Sequence, residues 1–217
     1  MILAVAGGKG GVGKSTVAYN LAAALSAVVV DGDLGMATLP ADHGPTLHDV
    51  LADRVDAREA VQSGAVAVLP CGRSLAGARA AAVSKLGDAL APVEREYGTV
   101  VIDCPAGLRA DVGVPLSVAE VAVLVAAPEP FALADALRTR ELARELDARL
   151  AAVVLNRVID DPPTPTVRSA LGAPVESVPA DPRVGRSITA EAPIVDAAAD
   201  SEAAGTFRSL AKLVEQR

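Results

Sequence analysis

Apolar residues along this chain follow two rhythms. Short, near-continuous apolar runs fall at residues 2–6, 27–30, 66–69, 99–102, 121–126, 151–155 and 175–178. Runs of that length without polar alternation are what a strand covered on both faces leaves in a sequence. Between them the apolar positions recur at helical spacing, which predicts helices over 46–52, 85–97, 131–150 and 203–215. A further helix is marked by Val17, Ala18, Leu21, Ala22 and Leu25. Within 131–150, Leu133, Leu137, Leu142 and Leu146 form an apolar stripe, and Arg138, Arg140, Arg144 and Arg149 sit among acidic residues on a solvated face. Strands alternating with helices predict a doubly wound α/β sheet, mostly parallel and flanked by helices. One domain over residues 1–217 is the organisation expected at this length. The stretch Pro162-Pro163-Thr164-Pro165 reads as a stiff surface loop inside it.

In such a sheet a ligand sits beyond the carboxyl ends of the strands, so the residues that follow each apolar run carry the chemistry. Behind the first run lies Gly8-Lys9-Gly10-Gly11-Val12-Gly13-Lys14-Ser15-Thr16, which contains G-x-x-x-x-G-K-[ST] between a strand and a helix. Its glycines let backbone N–H groups converge on phosphate oxygens, and the helix N-terminus adds a favourable dipole. Lys14 is then placed for the outer phosphates of a nucleotide and the Ser15 hydroxyl for Mg²⁺. Behind the second and fourth runs come Asp31-Gly32-Asp33 and Asp103-Cys104-Pro105-Ala106-Gly107. A carboxylate at the end of a buried strand is costly unless something pairs with it. Beside a phosphate loop a hydrated Mg²⁺ is the natural partner, which makes Ser15, Asp33 and Asp103 the candidate metal residues. Asp31 fits a strand-end turn former and a functional group equally well.

Composition narrows the partners. The formal net charge of −7 argues against nucleic acid as a partner of the whole surface. Cys71 and Cys104 stand far apart with no C-x-x-C spacing, which predicts reduced thiols and a cytoplasmic compartment. No basic leader with a cleavage site opens the chain, and its apolar runs are too short to span a bilayer.

Taken together these residues resemble the MinD/ParA family of deviant Walker A ATPases, and its MinD-like branch most. Lys9-Gly10-Gly11-Val12-Gly13-Lys14-Ser15-Thr16 is similar to the family's K-G-G-x-G-K-[ST] loop. Asp31-Gly32-Asp33-Leu34-Gly35-Met36-Ala37, Thr46-Leu47-His48-Asp49-Val50-Leu51 and Asp103-Cys104-Pro105-Ala106-Gly107 resemble its following motifs in order. So do Pro128-Glu129-Pro130, Leu155-Asn156-Arg157-Val158, Val178-Pro179-Ala180-Asp181-Pro182-Arg183-Val184 and Ala192-Pro193-Ile194-Val195, so the likeness covers nearly the whole chain.

The resemblance implies an ATP-dependent dimerisation switch that positions a cellular complex, as in division or motility, with two ATP molecules sandwiched between two copies. It implies that Lys9 reaches the phosphates of the partner copy, that Lys14 and Thr16 hold phosphates within their own copy, and that Asp33 orients the attacking water. Lys9, Lys14 and Asp33 are therefore the expected catalytic set. Asn156, Arg157 and Pro179 fall at the family's adenine-contacting positions, although a buried asparagine satisfying loop backbone is an equally simple reading of Asn156. Segments 33–49 and 103–113 are the expected γ-phosphate sensors. The implied ligands are ATP and Mg²⁺, and the implied partners are a second copy and an activating or cargo protein.

The chain ends without the strongly basic amphipathic helix of membrane-cycling members. Peripheral membrane contact would need the avidity of a dimer, and the helix over 203–215 is expected to pack on the sheet. Two relatives of the same superfamily stand as alternatives. A ParA-type DNA partitioner would use Arg183, Arg186 and Arg208 as a basic patch; an iron–sulfur carrier would need thiols at a dimer interface.

Overall fold

The computed structural model describes residues 1–35, 37–107, 110–129 and 132–216. Met36, Leu108, Arg109, Pro130 and Phe131, which the sequence reading placed in sensor segments, in a motif or in a helix, lie outside the described residues. Among the described residues seven strands form one sheet in the order β3-β2-β4-β1-β5-β6-β7. They are β1 (Ile2–Ala6), β2 (Val28–Asp31), β3 (Ala67–Leu69), β4 (Val100–Asp103), β5 (Val121–Ala126), β6 (Arg149–Val158) and β7 (Val175–Pro179). Every pairing between them is parallel. The central strands are buried along their whole length, which is why they read as unbroken apolar runs.

The helices are α1 (Lys14–Leu25), α2 (Leu47–Leu51), α3 (Leu75–Ala80), α4 (Leu86–Tyr97), α5 (Ala110–Val118), α6 (Ala132–Glu145), α7 (Thr164–Leu171), α8 (Pro182–Arg186), α9 (Ile194–Ala197) and α10 (Glu202–Glu215). They split into two layers, each sealing one face of the sheet. Leu51, Leu90, Leu116, Ala136 and Leu171 pack with one set of strand side chains, and Val17, Leu21, Ile194, Phe207 and Leu210 pack with the other. The final helix buries Ala203, Ala204, Phe207, Leu210, Ala211 and Val214, so its apolar stripe is used against the sheet and α1, as its spacing predicted. Among the described residues no helix is long and apolar enough to cross a membrane.

Two expectations are corrected. The helix predicted over 131–150 stops at Glu145, and β6 takes up residues 149 and 150. Asp147 adopts a left-handed conformation with φ 60°, and the Ala148 N–H donates back to the Ala143 carbonyl at 2.9 Å, a Schellman-type stop made without glycine. The proline stretch taken for a loop runs into a helix: α7 begins at Thr164, and Pro165 sits in its first turn. A first-turn N–H has no intrahelical partner, so proline costs little there.

One buried side chain ties the segments of a single layer, the one that holds α1, to the phosphate-loop end of the sheet. Asn20 of α1 donates its amide to the Thr16 carbonyl at 2.8 Å and to Ser187 Oγ at 2.7 Å, and accepts from the Ile194 N–H at 2.8 Å.

Candidate nucleotide site

The loop after β1 opens between the carboxyl ends of β4 and β5. It closes on Gly13, which has φ 94°, and a Cβ there would stand 2.2 Å from Asn156 Nδ2. Only glycine meets both constraints. Gly13 is also the residue before α1: its carbonyl takes the Val17 N–H at 2.9 Å, while no side chain caps the helix. The first-turn N–H groups of a 12-residue helix therefore face the loop without a side-chain acceptor, the arrangement that attracts phosphate.

The two lysines of the loop have different surroundings. Lys14 is buried, and its Nζ donates to the Lys9 carbonyl at 3.2 Å. Burial lowers its pKa, and the nearby carboxylates of Asp103 and Asp33 oppose that shift. Lys9 is half exposed, and its Nζ lies 3.6 Å from Asp135 Oδ2 on the first turn of α6. One lysine thus faces into the site and the other lies along its rim.

Asp31 and Asp103 are register neighbours at the ends of β2 and β4, both fully buried. Asp31 gathers the chain that follows it. Its Oδ2 accepts from the Thr38 N–H at 2.7 Å and the Leu39 N–H at 3.0 Å, and its Oδ1 from the Asp33 N–H at 3.3 Å. Burial raises its pKa against these bonds. These bonds make it an organiser of the loop, in line with the turn-forming reading of its position. Asp33 stands half-buried on the loop so formed, with Oδ1 accepting the Gly35 N–H at 3.3 Å.

Asp103 is the more demanding group. Its Oδ2 accepts from Thr38 Oγ1 at 2.9 Å, but Oδ1 is buried with no hydrogen-bond partner among the described residues. Burial, then the charge of Asp31, pushes its pKa up to about 7. An orphaned carboxylate oxygen beside a serine hydroxyl and a buried ammonium fits a hydrated divalent cation. Among the described residues no group of three or more His, Cys, Asp or Glu side chains is placed to hold a metal ion. Thr38 and Asp135 were not singled out by the sequence. Their partners lie 65 and 126 positions away, and no local spacing signals either contact.

Asn156, Arg157 and Pro179 end β6 and β7 beside the loop. The β6–β7 register slips between Asn156 and Val158, where Arg157 takes φ 61° as the extra residue of a bulge. Asn156 is buried, and its Nδ2 donates to the Val12 carbonyl at 2.8 Å, so this amide braces the phosphate loop. Arg157 is exposed and Pro179 half-buried. Of the basic patch considered for DNA, Arg183 pairs with Asp181 at 2.6 Å and Arg208 donates to the carbonyls of Ala199 and Val195. Two of its three charges are already engaged.

Residues 3–194 match the family model described as the CobQ/CobB/MinD/ParA nucleotide binding domain. An uncharacterized ATP-binding protein of Methanocaldococcus jannaschii is 38% identical over 170 residues, covering 73% of this chain and 65% of that protein's own length. The cell division ATPase MinD of Pyrococcus furiosus superposes with a TM-score of 0.90 at 32% identity, over 99% of this chain and 98% of that one. The septum site-determining protein MinD of Pyrococcus horikoshii, complexed with Mg-ADP, superposes with a TM-score of 0.89 at 30% identity, over 99% of this chain and 96% of that one.

Proposed function

The chain belongs to the CobQ/CobB/MinD/ParA nucleotide-binding family, and from that membership we infer that it is an ATP-driven dimerisation switch acting as a single cytoplasmic domain. The observation that supports the nucleotide-binding part of this reading is the buried Lys14 in the field of Asp103, whose Oδ1 is left without a hydrogen-bond partner among the described residues. ATP is the expected ligand. The loop N–H groups from Gly8 to Thr16, with Lys14, would hold its phosphates, and Asn156, Arg157 and Pro179 would border the adenine. Ser15, Asp33 and Asp103 would hold Mg²⁺, which supplies positive charge for the β- and γ-phosphate oxygens.

The chain's own residues divide the remaining work. Asp33 orients and polarises the attacking water. Lys9, on the rim, would serve the phosphates of a second copy, in the manner of a cationic finger supplied in trans. The rim position of Lys9, away from the buried Lys14, supports that division. Hydrolysis would then depend on pairing, and a partner protein would set its rate. The printed names of similar proteins, cell division ATPase and septum site-determining protein, support a role in positioning a cellular complex. The iron–sulfur reading is disfavoured by Cys71 and Cys104, both of which are buried within one copy.

Light scattering on an Asp33→Ala variant tests the switch. Mg·ATP is expected to double its molar mass, and Lys9→Ala in the same background is expected to prevent the doubling. A monomer at saturating Mg·ATP would refute the switch and leave a nucleotide-binding domain with another purpose.

A further inference from the structure

Behind the Asp33 loop, on α2, lies a histidine that an apolar environment does not explain. His48 is buried, as are Leu47, Val50 and Leu51 of the same five-residue helix. Its Nε2 is 3.0 Å from the Leu34 carbonyl and 3.5 Å from Cys71 Sγ. A carbonyl only accepts, so Nε2 carries a hydrogen and donates it to Leu34. The Cys71 thiol does not compete for that position, since its own hydrogen goes to the Gly72 carbonyl at 3.4 Å. The other ring nitrogen, Nδ1, is buried without a hydrogen-bond partner among the described residues.

The ring is also held sterically. It rests against the Cα atoms of Gly72 and Gly77, where an added Cβ would stand 2.2 Å and 2.9 Å from Nδ1. An aliphatic side chain would fill this space without the cost of an unsatisfied buried nitrogen. What histidine adds is the bond to Leu34, the residue next to Asp33. The loop is then fixed from two sides. The Asp31 carboxylate collects the N–H groups of Asp33, Thr38 and Leu39, and His48 takes the carbonyl that follows Asp33.

We propose that His48 is a positioning residue for Asp33: through the Leu34 carbonyl it sets the conformation in which the Asp33 carboxylate meets the attacking water. The proposal rests on the reading of Asp33 as the water-orienting group. Cys71, Gly72 and Gly77 form the wall that aims the ring, which links the β3 edge of the sheet to hydrolysis.

Two substitutions test it. His48→Leu removes the donor and keeps the packing; His48→Gln keeps an N–H at comparable reach. His48→Leu is expected to lower kcat about tenfold with KM for ATP unchanged, the loss of one buried hydrogen bond acting only on the reacting geometry. Amide hydrogen exchange over residues 33–35 should quicken in the same variant, and His48→Gln should restore both readouts. The proposal is overturned if His48→Leu exchanges and turns over like wild type, if His48→Gln is as impaired as His48→Leu, or if KM rises in place of a fall in kcat. Asp33→Ala separates the two layers of the argument. If it leaves turnover unchanged, the role assigned to Asp33 fails, and the exchange rates alone decide whether His48 anchors the loop.

Discussion

Asn156, at the end of β6, donates its side-chain amide to the Val12 carbonyl inside the phosphate loop, across 144 positions of sequence. The same nitrogen occupies the space that a Cβ on Gly13 would need. Loop and strand are therefore fitted to one another. Asn156→Ala strands a buried carbonyl and is expected to cost about 1–2 kcal/mol, or roughly five- to thirtyfold in the Kd for Mg·ATP. Titration calorimetry reads this directly. An unchanged Kd would mean that the loop holds its shape without the brace.

Thr38 joins the two buried carboxylates. Its hydroxyl reaches Asp103 Oδ2 at 2.9 Å and lies 3.3 Å from Asp31 Oδ1. Thr38→Val is nearly isosteric but removes the donor, which should destabilise the protein by about 1–3 kcal/mol. It should also change the Mg²⁺ requirement of nucleotide binding. Thr38→Ser retains the hydroxyl and should behave as wild type. Chemical denaturation of both variants, followed by Mg²⁺ titration, separates them.

The raised pKa of Asp103 has a direction that can be worked out. In the unfolded chain this carboxyl ionises near 3.8, whereas burial holds it protonated in the folded protein up to about 7. The folded state binds the extra proton across that window, so stability without Mg²⁺ falls as pH rises from about 4 to about 7 and levels off above it. Asp103→Asn cannot ionise and should flatten this part of the stability–pH curve. Denaturation midpoints at pH 5 and pH 8 make the comparison, and equal slopes in both proteins would count against the burial argument.

Both thiols are shielded. Burial pushes Cys71 up to about 12 and raises Cys104 further in the same direction. Neither is expected to react with Ellman's reagent in the native protein at pH 8, and both should react once it is unfolded in guanidinium. Rapid native labelling of either would reopen the iron–sulfur alternative.

The phosphate loop and the strands around it could be read from the sequence because their signals are local. Strand β5 spans the predicted residues 121–126, and β1 and the loop motif lie where the pattern put them. The end of α6 was missed because an aspartate supplies the left-handed stop usually given by glycine. The start of α7 was missed because a first-turn proline looks like a loop proline. Site residues divide the same way. Lys14 and Asp103 announce themselves by position after a strand. Thr38, Asp135 and the Leu34 contact of His48 depend on where distant segments come to lie, which no spacing encodes.

The amide of Asn20 ties the beginning of the chain to its last quarter. Tightening the first turn of α1 around a phosphate would be felt at Ser187 and Ile194, which are on the other ends of its hydrogen bonds. The two regions are therefore joined by hydrogen bonds as well as by apolar packing.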